Sequence, residues 1–258
     1  MIPSVDADAA QALAQAGLAQ LIDGTWLMPG GQAEHGTLDG TSATIDTQSL
    51  KALPHDSRAE EAFAVLRASG VRGSVPAIVY DRAGFFSAPW VAWLLASHGH
   101  GVSLLQGRGR EGQTRACDGD PLASTADPAR MNVTAADVLE AVGTDTQIVD
   151  ARSPGRFAGT DPEPRPECRS GHIPGSLNLP FGRIRGDMGY ADFENIGRMA
   201  AEVGIDVGRQ IITTCGSGVT ASALAVALQR LGASDVRVYQ GSWAEWGANT
   251  DFPVETGA

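Results

Sequence analysis

The chain has 258 residues and a formal net charge of −11 at pH 7, a length that fits one large domain or two of ordinary size. The negative charge argues against a nucleic-acid-binding protein, because proteins that neutralise phosphates carry clustered Lys and Arg. No stretch approaches the roughly 20 apolar residues that span a bilayer, and the N-terminal residues do not have the composition of a signal peptide. We therefore expect a cytoplasmic protein without a membrane partner.

Cysteine and histidine are scarce. Cys117, Cys168 and Cys215 are too few and too widely spaced for a disulfide framework or a zinc site. The five histidines show no ligand spacing either. The sequence therefore predicts no metal and no organic cofactor.

In the first half of the chain, short apolar stretches predict strands. They stand in "LIDGTW" at 21–26, "AIVYD" at 77–81 and "LLQG" at 104–107. The segment that follows is polar and rich in Gly, Asp and Pro, as linkers are. We predict a linker over 111–130, which contains Cys117.

The second half shows the same alternation of strands and helices. "IVDARS" at 148–153 and "IITTC" at 211–215 predict strands, "TASALAVALQRLG" predicts an apolar-faced helix that ends at Gly232, and "VYQG" at 238–241 ends the next strand. Strands that alternate with helices indicate a mainly parallel sheet flanked by helices.

The two halves repeat each other in order and in spacing. Asp81 to Gly107 and Cys215 to Gly241 are both 26 positions, and "GTLDGT" at 36–41 resembles "GHIPGS" at 171–176. We interpret the chain as an α/β protein with two tandem homologous domains, 1–110 and 131–258, joined by the linker. Cys215 stands at a strand end, where active sites of such sheets lie, whereas Asp81 stands at the equivalent position of the first domain.

The "CGSGVT" loop after that strand has the composition of an anion cradle. Gly216 and Gly218 permit backbone angles that point successive N–H groups inward, and the following helix adds the positive end of its dipole. A thiolate or a persulfide anion at Cys215 would be stabilised there. The alternative is an inert buried thiol in a turn, but two glycines and two hydroxyls are poor core material.

The chain resembles the tandem-domain rhodanese family of sulfurtransferases, most closely its 3-mercaptopyruvate-using branch. The resemblance covers nearly the whole chain and is most specific in "CGSGVT", "VDARSPGRFAGTDPEPR" and "SGHIPGSLNLPF". It implies that Cys215 takes sulfur from 3-mercaptopyruvate, releases pyruvate, and passes the sulfur from a persulfide to a thiol, thioredoxin or cyanide. Such an enzyme needs a small-molecule sulfur donor and a thiol acceptor, and we expect a monomer.

The resemblance also assigns site residues. Arg156 and Arg165 would bind the substrate carboxylate and carbonyl, for which an arginine fork is suited. Ser217 would orient the substrate or move a proton. Gly216, Gly218, Val219 and Thr220 complete the binding loop, although helix capping is the simpler role for Thr220.

Other residues of the matching motifs are assigned to structure. Asp150 is a strand-end carboxylate with Arg152 as its neighbour, and His172 is expected to bond to backbone in a turn. The first domain departs from the family pattern, because Thr37 and Asp39 replace a histidine and a proline, and only His35 lies nearby. Asp81 cannot form a persulfide, so this domain is expected to act as a scaffold.

Three alternatives to this function remain open. Thiosulfate could be the better donor, although "CGSGVT" carries no Lys or Arg to bind a doubly charged anion. The chain could instead be a non-catalytic rhodanese-type binding module, which would have no need of Arg156 and Arg165. A phosphatase or arsenate reductase requires an arginine six positions after the cysteine, where Ala221 stands.

Overall fold

The computed structural model describes residues 1–28, 30–113, 120 and 127–257. It divides into two compact units, 1–129 with 186–190 and 130–185 with 191–258. Cys117 and most of the predicted linker lie outside the described residues.

The first unit is a parallel sheet with helices between its strands. The strand order is β1-β5-β4-β2-β3, and every neighbouring pair is parallel. Its elements are β1 Ser4–Asp6, α1 Ala7–Gln15, β2 Gln20–Asp23, β3 Thr41–Thr44, α2 Thr47–Ala52, α3 Arg58–Ala68, β4 Ala77–Tyr80, α4 Ala88–Ser97 and β5 Val102–Gln106.

The second unit repeats this topology strand for strand. Its order is β6-β10-β9-β7-β8, again all parallel. Its elements are β6 Asn132–Val133, α5 Ala135–Ala141, β7 Gln147–Asp150, α6 Pro154–Ala158, β8 Leu177–Asn178, α7 Phe181–Ile184, α8 Phe193–Glu202, β9 Ile211–Thr214, α9 Val219–Arg230, β10 Val236–Tyr239 and α10 Ser242–Trp246. The predicted α/β fold with two repeated parallel sheets is confirmed.

The central strand of each unit and the helix that follows it form the core. Strands β4 and β9 are buried along their whole length, as expected for parallel strands covered on both faces. Helices α4 and α9 are apolar on almost every side and are buried accordingly. This packing holds the end of each central strand, where Asp81 and Cys215 stand, in one position.

The boundaries of the compact units differ from the predicted domains in two places. Residues 110–113 are hydrogen-bonded along 37–40, and the Leu38–Glu111 bridge lies one position along the repeat from the His172–Glu255 bridge of the second unit. The first repeat therefore extends beyond residue 110. The segment 186–190 belongs to the first unit, where the Met188 carbonyl accepts the Gly107 N–H at 2.8 Å.

Asp81 fills the loop that follows β4. Its Oδ1 accepts the N–H groups of Ala83 at 2.9 Å and Phe85 at 3.0 Å, and its Oδ2 accepts those of Ser87 at 2.8 Å and Ala88 at 2.7 Å. Burial raises the pKa of this carboxyl, while the N–H groups oppose the shift. The loop of the first unit thus closes on a carboxylate of its own chain.

We expect Asp81→Ala to lower the free energy of unfolding by on the order of 3 kcal/mol, because it leaves several buried N–H donors without an acceptor. Urea denaturation followed by tryptophan fluorescence would measure the change. Asp56→Ala removes an exposed carboxylate from the same unit and serves as the control. Equal stability of the two variants would contradict the role given to Asp81.

Candidate active site

The sulfur of Cys215 accepts two backbone hydrogen bonds from its own loop. Cys215 follows β9 directly and is 2% exposed. Its Sγ accepts the N–H groups of Ser217 at 3.4 Å and Gly218 at 3.2 Å. Two N–H donors aimed at one sulfur stabilise negative charge on it, at the N-terminal end of a helix whose dipole has the same effect.

Gly218 makes this loop geometry possible. It precedes α9 with φ of 87°, and a Cβ atom added there would lie 2.7 Å from the Gln240 carbonyl oxygen. Both the left-handed backbone and the lack of space require glycine. Gly218 is therefore the residue that caps α9, and the capping role suggested for Thr220 is wrong; Thr220 lies in the first turn.

A second loop, which follows β10, is hydrogen-bonded to the cysteine loop and stabilises it. The Ser242 hydroxyl accepts the Cys215 N–H at 3.1 Å and lies 4.0 Å from Sγ. The N–H groups of Trp243 and Ala244 donate to the carbonyls of Cys215 and Gly216, at 2.9 and 3.0 Å. Ser242 was not predicted. Its φ of 51° is uncommon for a residue with a side chain, and the sequence carries no sign of it.

A chain of buried charges runs beside the loop. The Arg152 guanidinium bonds to Asp150 at 2.6 Å and to Glu163 at 2.9 Å, and it lies over the Trp243 ring at 4.2 Å. Glu163, whose side chain is 3% exposed, also holds Arg156, through Nε at 3.1 Å and Nη2 at 2.5 Å. Glu163 thus fixes both arginines, a role that the sequence did not single out.

This pairing leaves one edge of Arg156 directed at the cysteine loop. Glu163 occupies the Nε–Nη2 edge. The other edge faces Gly216, since a Cβ atom at Gly216 would lie 3.1 Å from Nη2 and 3.5 Å from Nη1 of Arg156. A carboxylate that binds this edge would lie next to the residue that follows Cys215.

A cavity of about 430 Å³ opens at this place. One wall is the turn after β7 with α6, including Arg152 and Arg156, and another is residues 180–183. The cysteine loop contributes Gly216 and Thr220, while the nearly covered Cys215 is not among the lining residues. Cys215 therefore lies beside the cavity, behind Gly216.

Some of the predicted site residues line the cavity, and the others do not. Arg156, Gly216 and Thr220 line the cavity, and Cys215 lies beside it. Ser217 contributes its N–H to the sulfur, Gly218 supplies the turn, and Val219 is buried at 1% exposure. Arg165 does not line the cavity; its carbonyl accepts the Cys168 N–H at 3.0 Å. The site role of Arg165 stays a prediction from resemblance.

His172 and Asp150 have the structural surroundings that the sequence indicated. The Nδ1 atom of His172 lies 2.8 Å from the Phe157 carbonyl oxygen, and the two rings stack at 3.8 Å. Asp150 is fully buried against Arg152. His35 lies in the first unit, where its Nδ1 is 2.9 Å from the Gly36 carbonyl oxygen.

Cys168 differs from Cys215 in its electrostatic environment. Burial, and then the charge of Glu167, raise the pKa of its thiol. Its Sγ donates to the Trp243 carbonyl at 3.6 Å. Cys168 therefore has the surroundings of an unreactive thiol at neutral pH.

Over the described ranges, no group of His, Cys, Asp and Glu side chains is arranged to hold a metal ion. In the same part of the chain no helix combines the length and apolar character needed to cross a bilayer.

Similarity to known proteins agrees with this geometry. The sequence profile of the rhodanese-like domain matches residues 134–249. The 3-mercaptopyruvate sulfurtransferase of Escherichia coli (strain K12) is 38% identical over 216 residues, which cover 79% of this chain and 76% of that protein. The chain belongs to the rhodanese family.

Two further relatives extend the rhodanese match to both units. The 3-mercaptopyruvate sulfurtransferase of Mus musculus is 36% identical over 250 residues, with 88% of this chain and 84% of that protein covered. The crystal structure of SseA from Escherichia coli superposes with a TM-score of 0.78 at 29% identity, covering 94% of this chain and 99% of that one. The match in both sequence and fold therefore includes the first unit, in which Asp81 replaces cysteine.

Proposed function

We propose that this protein transfers sulfur from 3-mercaptopyruvate to a thiol acceptor through a persulfide on Cys215. The observation that carries the proposal is a buried sulfur with two loop N–H groups directed at it, next to the free edge of Arg156. The curated relatives that act on 3-mercaptopyruvate support the choice of donor.

In the first half-reaction, the Cys215 thiolate attacks the sulfur of 3-mercaptopyruvate. A sulfur–sulfur bond forms and the bond between sulfur and the C3 carbon breaks, with its electron pair left on the pyruvate fragment as an enolate. The proton of the donor thiol ends on C3, so pyruvate leaves and a persulfide anion remains. Hydrogen bonds from the Ser217 and Gly218 N–H groups stabilise the attacking thiolate.

Arg156 holds the other end of the donor. Its outer edge can donate two hydrogen bonds to the carboxylate, or one to the carboxylate and one to the keto oxygen, where the enolate charge develops. Because Glu163 fixes the guanidinium from behind, little rotamer freedom is lost on binding. Donor binding and enolate stabilisation thus depend on the same arginine.

The persulfide then gives its outer sulfur to an acceptor. The first N–H groups of α9, at Val219 and Thr220, have no partner within the helix and supply further donors for the outer sulfur. We propose a thiol as acceptor, small or carried by a protein such as thioredoxin. Cys168 and Cys215 are both unpaired, so the reaction fits a reducing compartment such as the cytoplasm.

We expect brief incubation with 3-mercaptopyruvate to add the mass of one sulfur atom to the wild-type protein, as read by intact mass spectrometry. Cys215→Ser should show no adduct, because it lacks the nucleophile. Cys168→Ser, the matched control, should gain the sulfur like the wild type. A sulfur gained only from thiosulfate would contradict the donor, and no adduct from either donor would favour the binding module.

Substitution of each of the two predicted arginines tests which of them binds the donor: Arg156, which lines the cavity, or Arg165, whose role rests on the resemblance alone. We expect Arg156→Gln to lower kcat/KM for 3-mercaptopyruvate about 30-fold, because charged hydrogen bonds worth about 2 kcal/mol are lost. Arg165→Gln should change it less than about threefold, since Arg165 lies outside the cavity. Steady-state pyruvate release measures both. Equal effects would contradict the position given to the donor carboxylate.

A further inference from the structure

One arginine of the cavity has no part in the proposed donor site. Arg183 lies on α7, in a different lining segment of the cavity from the turn that carries Arg152 and Arg156. Arg183 is exposed to solvent. Its neighbour Ile184 is fully buried, and its own N–H is bonded to the Pro180 carbonyl at 2.9 Å. The backbone of Arg183 is therefore fixed while its charged group is open to solvent.

The charges of the cavity leave Arg183 without compensation. Three arginines line it, Arg152, Arg156 and Arg183. Asp150 and Glu163 engage the first two, whereas no ion pair involves Arg183 within the part of the chain that the structure describes. Three positive charges against two negative ones leave one net positive charge at the cavity.

The size of the cavity indicates a ligand larger than the donor. Its volume of about 430 Å³ lies in the range of pockets that take drug-sized molecules, whereas 3-mercaptopyruvate is a three-carbon acid. The donor carboxylate is accounted for by Arg156, which lies against Gly216. Because pyruvate leaves before the acceptor binds, the acceptor can occupy the whole cavity, in which Arg183 has no ion pair among the described residues.

We propose that Arg183 binds a carboxylate of the sulfur acceptor, which is a small thiol that carries a carboxylate and is larger than the donor. This inference rests on the proposed function. With the carboxylate at Arg183, the acceptor thiolate attacks the outer persulfide sulfur. A bond forms between these two sulfurs, the Cys215–sulfur bond breaks, and Cys215 leaves as a thiolate while the acceptor becomes the persulfide.

The test measures the second half-reaction alone. The full-length protein is loaded with sulfur from 3-mercaptopyruvate, desalted, and mixed with glutathione or with glutathione diethyl ester, which keeps the thiol and removes both carboxylates. Intact mass against time gives the rate constant for loss of the persulfide sulfur. Arg183→Gln and Arg183→Lys are compared with the wild type, and Arg130→Gln, which removes an exposed arginine outside the cavity, is the control.

We expect Arg183→Gln to lower the rate constant with glutathione about fivefold, the range of one exposed charge pair, and to leave that with the diester unchanged. Arg183→Lys should keep most of the rate, because it keeps the charge, and Arg130→Gln should match the wild type. Equal slowing with both thiols, or no slowing with either, would overturn the proposal. So would discharge of the wild type by reduced thioredoxin but not by glutathione, because the acceptor would then be a protein.

Failure of the proposed function would be visible separately. It would appear at the loading step, as an absence of the sulfur adduct after 3-mercaptopyruvate. Loading with inorganic polysulfide would still allow the acceptor step to be measured, so the two outcomes are distinguishable.

Discussion

Convergence of loop N–H groups on one acceptor at the end of the central strand is the constraint on which both units depend. In the first unit the acceptor is the Asp81 carboxylate, whose two oxygens take four N–H groups. In the second unit it is the Cys215 sulfur, which takes two. The Asp81 carboxylate accepts the N–H groups of its loop but cannot form a persulfide, whereas a thiolate at the equivalent position can accept another sulfur atom. One backbone arrangement thus surrounds a carboxylate in one unit and a cysteine sulfur in the other.

Each charged group around Cys215 positions the next one, from the interior towards the cavity. Arg152 is saturated by Asp150, Glu163 and the Gly171 carbonyl, so it serves to hold Glu163. Glu163 in turn orients Arg156 and leaves one of its edges for a ligand. Arg183, on a separate element, is solvent-exposed. A buried network is needed because an uncompensated charge in the interior would be strongly destabilising, and its effect is to place one arginine edge beside the cysteine loop.

The fold and the position of Cys215 at the end of a central strand were predictable because they rest on local signals. Strand spacing repeats between the halves, and Gly216 and Gly218 mark the loop after Cys215, in which Gly218 adopts a left-handed backbone conformation that favours glycine. The arginines were less predictable. Arg156 and Arg165 belong to the same motif, yet of the two only Arg156 lines the cavity, because Arg156 lies on the short helix α6 whereas Arg165 lies in the irregular segment after it.

Other residues could not be found from the sequence because tertiary packing alone brings them to the site. Ser242 follows a different strand and bonds to the Cys215 N–H only because β9 and β10 are neighbours. Glu163 and Arg183 lie in segments whose path depends on the rest of the fold. The assignment of residues 186–190 to the first unit could not be predicted from local sequence patterns either, because nothing in those residues distinguishes a turn of one unit from a turn of the other.

A crystal structure of the protein after reaction with 3-mercaptopyruvate would test the central claim most directly. We predict electron density for one added sulfur bonded to Cys215 Sγ, within hydrogen-bonding distance of N–H groups of the loop 216–220. Density for the added sulfur on Cys168, or a Cys215 persulfide directed away from these N–H groups, would contradict the account.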